Sequence, residues 1–524
     1  MLIYRSIANR SFIIFWAIFF LFASVSLWWL RLHRAPPNWD DAWYLSNSLT
    51  LYDSWVGGGL PGLAKQFLAA LGFKAPLITA LPLPFYWLFG RRWHVAYLAN
   101  TFSMLVLFGA VCAIGRRLRG QRAGLIAVYI VGSLPLLYGL SRWYLVEYPL
   151  AAVIALTFWL TLCARDESGG SAAALGVVCG VGLLLKADYP LFAGPMVLMA
   201  IVKRRDRLRT LLAICVPAAI LATPWYVLHW WPTLRNAISA GFGKSALVQG
   251  TGPIFSPMAL WKYLGIVAEW GISPYYLGLT AAAAVIAVWK RQFELFRELA
   301  CLLPWLAPFL VFAFGGNKDV RYVAPILPAV AVGAACLLDG IIALRRWVLP
   351  MALAFPLVSL CAVSFGWPYH TGNIGYANHY EPHTWRQDEI LARVEDTAVF
   401  PFARQKVLLI GTDRGSFNAD NFQLFALQDR LPLRVETTAY GQNLEQLLQQ
   451  AHGAEYFVYK EGGEKESEFF NLHAAKLRDA LRTSNEWVEI PFGGSLPDGG
   501  TAHILRRIHA QQSEIRQSAG GAMN

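Results

Sequence analysis

The sequence predicts a mainly α-helical, polytopic membrane protein that carries a smaller α/β domain near its C-terminus. The chain has 524 residues, of which 56% are hydrophobic and only 15% are charged, so it is too apolar for a soluble protein of this size. Apolar runs recur along the first two thirds, whereas the last third alternates strand-like and helix-like patterns. We expect a transmembrane catalytic module over residues 1–366, an extracytoplasmic α/β domain over 367–510 and a disordered tail over 511–524.

Apolar stretches of span length predict the helices of the bundle. The first, from Ser11 to Leu32, is too long for the core of a signal peptide and no small-residue cleavage site follows it, so it should remain as a span. Window length predicts about eleven spans in all. Their ranges are 11–32, 95–115, 123–140, 149–164, 172–186, 189–202, 209–229, 274–289, 299–314, 323–343 and 347–366.

Basic residues are concentrated in alternate turns between these spans, which fixes the predicted orientation. Lysine and arginine favour cytoplasmic turns, so the N-terminus should lie inside and the C-terminal domain outside. In a bacterium this means a multi-pass inner-membrane protein with a periplasmic C-terminal domain. The net charge of +12 then reflects topology and does not indicate a nucleic-acid partner. The basic turns contain Arg116, Arg117, Arg119 and Arg122; Lys203, Arg204, Arg205, Arg207 and Arg209; Lys290 and Arg291; and Arg345 and Arg346.

Two long external segments, 33–94 and 230–273, separate some of the spans. Pro76, Pro82 and Pro84 interrupt the apolar stretches of the first segment, and prolines at this density prevent a straight span. We therefore expect short interfacial helices in the first external loop, lying on the membrane. The second segment is rich in tryptophan, which is typical of an aromatic belt at the interface.

The segment after Gly366 has the composition of a small layered domain. Residues 407–411 and 456–459 have the pattern of buried strands, and 421–430, 443–451 and 468–481 have helical periodicity. This alternation predicts an α/β domain over roughly 385–509. The stretch Gly411–Gly415 follows a strand but lacks the spaced glycines of a dinucleotide fingerprint.

All seven cysteines lie in apolar runs. They offer no disulfide framework and no zinc-ligand spacing, so we interpret them as small hydrophobic residues. They are Cys112, Cys163, Cys179, Cys215, Cys301, Cys336 and Cys361.

Two adjacent carboxylates, Asp40 and Asp41, follow the first span among aromatic residues. Keeping both ionised beside a low-dielectric slab is unfavourable, which indicates a functional site. The alternative is a polar loop in which Asp40 caps a short interfacial helix and Asp41 faces water.

Further ionisable residues stand at the predicted external ends of other spans. A cation near a span costs about 2.5 to 3.5 kcal/mol at mid-membrane and less near the surface, so these cations need an anionic partner or a route to water. Snorkelling to the interface is the alternative for Lys186 and Arg321. The set is Lys74, Arg142, Glu147, Lys186, Asp188, Lys318 and Arg321.

Carboxylates above a layer of cations suit one kind of chemistry. The cations would hold a lipid phosphate, and an aspartate would take a proton from an attacking hydroxyl. Because phosphate is a good leaving group, no separate general acid is needed. This combination predicts glycosyl transfer from a lipid-phosphate sugar.

Four short motifs resemble those of the C-type membrane glycosyltransferases, in the branch with the protein O-mannosyltransferases and the lipid A aminoarabinose transferases. An Asp-Glu pair follows the first span in that branch, and here Asp41 stands in place of the Glu. The resemblance covers roughly residues 10–345. The matching segments are WDDAWY at 39–44, KAPL at 74–77 followed by LFG at 88–90, LKADYP at 185–190 and KDVRYVAP at 318–325.

The resemblance implies a polyprenyl-phosphate sugar donor, such as undecaprenyl phosphate, and inversion at the anomeric carbon. Asp40 occupies the position of the family's aspartate and is the expected base; Asp41 and Glu147 complete the expected catalytic carboxylates. A lipid, a glycan or a protein is the expected acceptor. The residues expected to bind the donor phosphate are Lys74, Arg142, Lys186, Lys318, Arg321 and Tyr322.

Some relatives use a divalent metal near the phosphate and others do not. Asp40, Asp41 and Glu147 offer hard oxygen ligands suited to Mg²⁺ or Mn²⁺, and the metal stays unassigned.

Two other functions fit a basic polytopic protein. A transporter or flippase of a lipid-linked or anionic substrate is the main alternative, but such proteins typically have internal repeats and ionisable groups near mid-span. A scaffold for polysaccharide synthesis, whose external domain binds a partner, is the third. Lipid phosphate bound after purification would distinguish the transferase from both.

Overall fold

The structure is a computed structural model that describes residues 2–166, 169–342, 348–397, 405–439, 443–467 and 470–508. Within these ranges the chain is mainly helical with one small sheet, which confirms the predicted class. It forms two compact units. The helical unit comprises the chain up to Leu32, Ser54–Leu88 and Ala96–Tyr380; the sheet unit comprises His33–Asp53, Phe89–Val95 and the described residues from Glu381 onward.

Nineteen α-helices lie between Leu2 and Phe365 along the described chain. They are α1 (Leu2–Leu32), α2 (Trp39–Ala69), α3 (Leu77–Ala80), α4 (Leu83–Phe89), α5 (Leu98–Arg119), α6 (Gln121–Ser133), α7 (Pro135–Leu140), α8 (Glu147–Asp166), α9 (Gly169–Leu185), α10 (Tyr189–Val202), α11 (Arg207–Phe242), α12 (Lys244–Val248), α13 (Pro257–Ile266), α14 (Pro274–Trp289), α15 (Phe293–Leu299), α16 (Leu303–Leu306), α17 (Phe309–Phe314), α18 (Leu327–Ile342) and α19 (Val348–Phe365).

Five helices in the described ranges are long and apolar enough to cross a membrane, or up to six if the bent pair Pro257–Ile272 and Pro274–Trp289 is one span. Four shorter apolar helices accompany them. The expected number of about eleven spans is therefore not confirmed. Short helices explain part of the difference, because a hydropathy window also counts apolar stretches whose helices have only 10–17 residues. Arg345 and Arg346, and the predicted tail 511–524, lie outside the described residues.

The segment predicted to be the first external loop begins with the long helix α2 and continues with two short helices. Gly59 interrupts α2 with φ 60° and ψ −153°, a conformation essentially restricted to glycine. Pro76 is the N-cap of the four-residue α3, and α4 has seven residues. Helices α3 and α4 are therefore short, as expected, whereas the 31-residue α2, which contains Pro61, is longer than the expected short helices.

Helix α18 runs between two groups of ion-paired residues in the helical unit. Arg321 lies in the 3₁₀ turn Val320–Ile326 that leads into the helix. Near the helix C-terminus, Asp339 pairs with Arg122 in the basic turn between α5 and α6. At 1.5 Å per residue the helix separates these two ends by about 24 Å.

The sheet unit contains five strands among its described residues, in the order β2-β1-β3-β5-β4. β1 is parallel to β2 and β3, whereas β5 is antiparallel to β3 and β4. The strands predicted at 407–411 and 456–459 are confirmed. The elements are β1 (Lys406–Ile410), β2 (Leu433–Thr437), β3 (Tyr456–Glu461), β4 (Trp487–Ile490) and β5 (Thr501–Arg507), with helices α20 (Gln387–Asp396), α21 (Ala419–Gln428), α22 (Leu444–His452) and α23 (His473–Thr483).

Helices cover both faces of this sheet, so each central strand is buried on two sides. Leu408 and Ile410 of β1 pack into a core with residues of α20 and α21, whereas Leu409 packs into a second core with residues of α22 and α23. This alternation follows the two-residue period of a strand. The result is the layered α/β architecture that the sequence predicted.

Candidate active site

The first turn of α2 carries the carboxylate pair. The carbonyl oxygen of Asn38 accepts a hydrogen bond of 2.8 Å from the Ala42 backbone, which closes that turn. Asp41 is 2% exposed and Asp40 is half-buried. Successive residues of a helix point about 100° apart, so the two side chains have different surroundings, and Asp40 is the more accessible of the pair.

A second group of candidate residues forms a buried ion cluster in the helical unit. Lys186 Nζ lies 3.1 Å from Glu147 Oε1 and 3.2 Å from Asp188 Oδ2. Arg321 Nε lies 2.8 Å from Asp319 Oδ2 and 3.9 Å from the same Glu147 oxygen. The structure thus brings four of the predicted residues together, Glu147, Lys186, Asp188 and Arg321, with Glu147 between the two cations.

An aromatic ring completes this cluster. Lys186 Nζ lies 4.5 Å from the centre of the Tyr322 ring, and the Arg321 guanidinium lies 5.6 Å from it. A cation at this distance from a ring face is attracted by the ring quadrupole. Tyr322 therefore belongs to the cluster through its ring, which lies beside both cations.

The cations of the cluster already have anionic partners. The sequence left open whether Lys186 and Arg321 pair with an anion or snorkel to the interface, and Glu147, Asp188 and Asp319 are their anionic partners in the structure. The neighbouring Glu147 and Asp188 carboxylates offset the free-energy cost of burying the Lys186 ammonium group.

Local structure explains how each cation reaches the cluster. Lys186 lies in the turn between α9 and α10, where its backbone amide donates to the Gly182 carbonyl and its carbonyl accepts from the Tyr189 amide. Asp319 caps the 3₁₀ turn by accepting a hydrogen bond of 3.0 Å from the Arg321 backbone amide. Both cations thus stand at helix ends.

Other predicted phosphate ligands have different partners. The Arg142 guanidinium lies 3.7 Å from the centre of the Tyr138 ring and donates a hydrogen bond of 2.9 Å to Ser364. Lys318 Nζ donates to the backbone carbonyls of Phe312 and Ala313. Both cations are buried. Their contacts hold neighbouring segments of the helical unit together. Lys74 is half-buried between α2 and α3.

Two cluster residues were not among the predicted ones. Asp319 lies inside the motif KDVRYVAP, in which Lys318, Arg321 and Tyr322 were the predicted ligands. Its position as the N-cap of the 3₁₀ turn is the sequence signal that could have identified it. The Tyr376 hydroxyl donates to Asp319, with both carboxylate oxygens at 3.2 Å. Because Tyr376 is 57 residues away in the sequence, no local pattern indicates this contact.

The described residues contain no group of three or more His, Cys, Asp or Glu side chains arranged to hold a metal ion. The carboxylates of the ion cluster are bound to Lys186 and Arg321, so they do not form a set of oxygen ligands around one point. The proposed mechanism therefore contains no step through Mg²⁺ or Mn²⁺.

Comparison with known proteins gives matches of three kinds. The family described as dolichyl-phosphate-mannose-protein mannosyltransferase matches residues 74–230. The undecaprenyl phosphate-alpha-4-amino-4-deoxy-L-arabinose arabinosyl transferase of Yersinia pestis is 25% identical over 46% of this chain and 45% of its own length. The corresponding transferase 1 of Sodalis glossinidius is 24% identical over 52% of each chain. The chain thus spans about half the length of the curated relatives it matches.

Solved structures match over more of the chain. ArnT from Cupriavidus metallidurans bound to undecaprenyl phosphate has a TM-score of 0.61 and 15% identity, and the match covers 93% of this chain and 97% of that one. The apo form of the same protein has a TM-score of 0.62 with similar coverage. These matches confirm the resemblance drawn from the motifs: the chain has the fold of the C-type membrane glycosyltransferases, and its sequence is similar to the branch that includes the protein mannosyltransferases and the aminoarabinose transferases.

Proposed function

We propose that this protein transfers a sugar from a polyprenyl-phosphate donor to an acceptor hydroxyl on the extracytoplasmic side of a bacterial inner membrane. The observation that carries the proposal is the buried cluster of Glu147, Lys186 and Arg321, because it presents fixed cations at the end of α18 opposite the basic turn. The curated relatives named above act on an undecaprenyl-phosphate sugar, which fits a cationic cluster beside apolar helices.

In the proposed reaction, Lys186 and Arg321 stabilise the charge of the departing phosphate. An ammonium group has three N–H donors, and the described contacts of Lys186 use two of them, for Glu147 and Asp188. In the bound state the third would donate to a phosphate oxygen in place of its contact with the Tyr322 ring. Hydrogen bonds between charged partners are about twice as strong as neutral ones, so this contact favours bond breaking at the anomeric carbon.

Asp40 is the proposed general base. The acceptor oxygen attacks the anomeric carbon from the face opposite the phosphate, so the new C–O bond forms as the bond to phosphate breaks and the configuration inverts. The acceptor proton passes to Asp40, and the lipid phosphate leaves with the bonding electron pair. The greater accessibility of Asp40 favours it over the buried Asp41 for this role, and Asp41 would orient the turn.

Glu147 has a different proposed role from the catalytic one that the sequence suggested. It is 3% exposed and contacts both cations, so it would hold them in place. Lys74, between α2 and α3, remains a proposed phosphate ligand. A lipid, a glycan or a protein remains the class of acceptor.

The test is transfer by purified protein, with undecaprenyl-phosphate aminoarabinose as the probe donor and lipid A as the probe acceptor. Asp40→Asn should lower turnover by about 10²-fold or more, as expected for loss of a general base, with donor binding unchanged. Asp41→Asn should have a smaller effect. Wild-type turnover by the Asp40→Asn variant would remove Asp40 from the mechanism. Movement of the donor across a bilayer without its consumption would favour a transporter over a transferase.

A further inference from the structure

The parallel part of the sheet unit contains a place where α/β proteins commonly bind ligands. From β1 the chain moves to β2 on one side, and then returns past β1 to β3 on the other. Such a reversal opens a crevice at the carboxyl ends of the parallel strands. In this protein the residues just after β1, Gly411 to Gly415, meet the polypeptide that starts α2.

Three contacts join this edge of the sheet to the residues directly before Asp40. The Trp39 indole Nε1 donates a hydrogen bond of 2.6 Å to Asp413 Oδ1. The Asn421 side-chain amide donates to the Pro37 carbonyl. A Cβ placed on Gly415 would lie 3.4 Å from Asn38 Oδ1, so the loop packs directly against that residue.

The Asp413 side of this contact is held by a network of its own. The Asp413 backbone amide donates a hydrogen bond of 2.9 Å to Glu466. Glu466 accepts from Arg478 at 2.7 Å, and Arg478 Nε also donates to the Gly411 carbonyl at 2.9 Å. Asp413 is 5% exposed. The Asp413 carboxylate that accepts the Trp39 hydrogen bond is therefore held in place.

The Asn421 contact is similarly fixed. Its Oδ1 accepts from the Asn418 backbone amide at 3.0 Å, and its own backbone amide donates to Asn418 Oδ1 at 3.1 Å. This reciprocal capping box starts α21 and leaves the Asn421 side-chain amide directed at Pro37.

We propose that Asp413 and Asn421 are positioning residues for the transfer reaction. Through Trp39 and Pro37 they set the location and direction of the first turn of α2, and hence of Asp40. The inference rests on the proposed function, because it takes Asp40 to be the base. A shift of about 1 Å at a reacting group lowers rates by about 10²-fold, so a fixed start of α2 affects turnover more than donor affinity.

The test separates positioning from general stability by means of matched variants. Trp39→Phe removes the donor and keeps a ring; Asp413→Leu removes the acceptor, whereas Asp413→Asn retains an acceptor oxygen. The control is Trp385→Phe, because Trp385 is buried in the same unit and donates a similar bond of 2.9 Å to Glu381. Each variant is compared for kcat, donor KM and melting temperature.

We expect Trp39→Phe and Asp413→Leu to lower kcat by about 10- to 10²-fold with donor KM within about twofold of wild type. Asp413→Asn should restore most of kcat, and Trp385→Phe should lower the melting temperature without changing kcat. Wild-type kcat in folded Trp39→Phe protein would overturn the inference. So would equal losses of kcat in Asp413→Asn and Asp413→Leu, or a kcat loss in Trp385→Phe as large as in Trp39→Phe.

Parallel measurements on wild type and Asp40→Asn separate this inference from the proposed function. If wild type transfers no sugar, or if Asp40→Asn is fully active, the proposed function fails. If wild type is active and Asp40→Asn is not, but Trp39→Phe and Asp413→Leu turn over at the wild-type rate, only the positioning role fails.

Discussion

Lys186 illustrates how a buried charge is retained beside apolar helices. The carboxylates of Glu147 and Asp188 lie within 3.2 Å of its ammonium group, so the free-energy cost of burial is offset within the protein. Removing one partner of a buried pair leaves the other uncompensated and costs about 3–5 kcal/mol. The cluster should therefore be a structural feature before it binds donor, and variants must be tested for both folding and binding.

The first prediction at the residue scale concerns the affinity for donor. Lys186→Met should weaken binding by about 1.5 to 3 kcal/mol, the contribution of a hydrogen bond to a charged group, which corresponds to about a 10- to 150-fold increase in Kd. The control is Lys290→Met, which removes an exposed lysine from a predicted cytoplasmic turn. Binding is measured by titration of protein shown to be folded by its melting curve. An unchanged Kd would exclude Lys186 from the donor site.

The second prediction concerns the pH dependence of stability through Asp413. Burial raises the pKa of Asp413 above its ordinary value of 3.8, although the Trp39 hydrogen bond acts in the opposite direction. A carboxyl group whose pKa is raised on folding contributes stability below its unfolded pKa, and that contribution is lost as the pH rises through the folded pKa. The Asp413→Asn variant has no ionisable carboxyl group at this position, so it does not lose stability in this way as the pH rises.

The melting temperature of Asp413→Asn minus that of wild type should therefore increase as the pH rises from below 4 towards neutrality. Well below pH 3.8 the two should differ little, because the aspartate is then neutral in both folded and unfolded protein. A difference that stays constant across the range would show that ionisation of Asp413 does not affect stability.

At the level of elements, the turn between α9 and α10 determines where Lys186 stands. A Cβ on Gly182 would lie 2.2 Å from the Tyr189 ring, so α9 and the start of α10 approach each other too closely for any larger residue. Tyr189 is fully packed here, since it is 2% exposed and its hydroxyl is hydrogen-bonded to Thr157 at 2.8 Å. The ring has no space into which it can move.

Gly182→Ala should therefore displace the turn that carries Lys186 and Asp188, and it should reduce both stability and donor affinity. We expect a loss of about 1–3 kcal/mol in unfolding free energy, typical of overpacking. Gly194→Ala is the matched control: nothing lies within 4 Å of its Cβ position, and alanine is the better helix former. Equal stabilities of the two variants would show that the close approach has no consequence.

Elements with a regular pattern were predictable from the sequence, and contacts between distant segments were not. The strands at β1 and β3 follow directly from buried β-branched and aromatic runs, and Glu147, Lys186 and Arg321 were identified because each follows or precedes an apolar run. The hydrogen bond between Trp39 and Asp413 joins residues 374 positions apart. Periodicity within a segment contains no information on such pairing, which depends on how the whole chain packs.

For the whole molecule, the positions of charged groups within the helical unit support one orientation. Arg119 and Arg122 of one basic turn approach Glu298 and Asp339, whereas Arg321 joins the ion cluster at the other end of α18. If the basic turn is cytoplasmic, as positive residues favour, the ion cluster lies on the opposite side, where a lipid-phosphate sugar is proposed to react.

The last prediction tests this orientation with cysteines introduced one at a time and a membrane-impermeant maleimide. Asp429→Cys and Lys476→Cys place a thiol at exposed positions of the sheet unit, and both should be labelled in intact cells. Lys290→Cys, at the end of α14, should be labelled only after the membrane is permeabilised, and wild type gives the background from the native cysteines. Protection of both sheet-unit positions in intact cells, with labelling of Lys290→Cys, would reverse the topology. The acceptor would then have to be cytoplasmic, and the assignment of Asp40 as an extracytoplasmic base would fail with it.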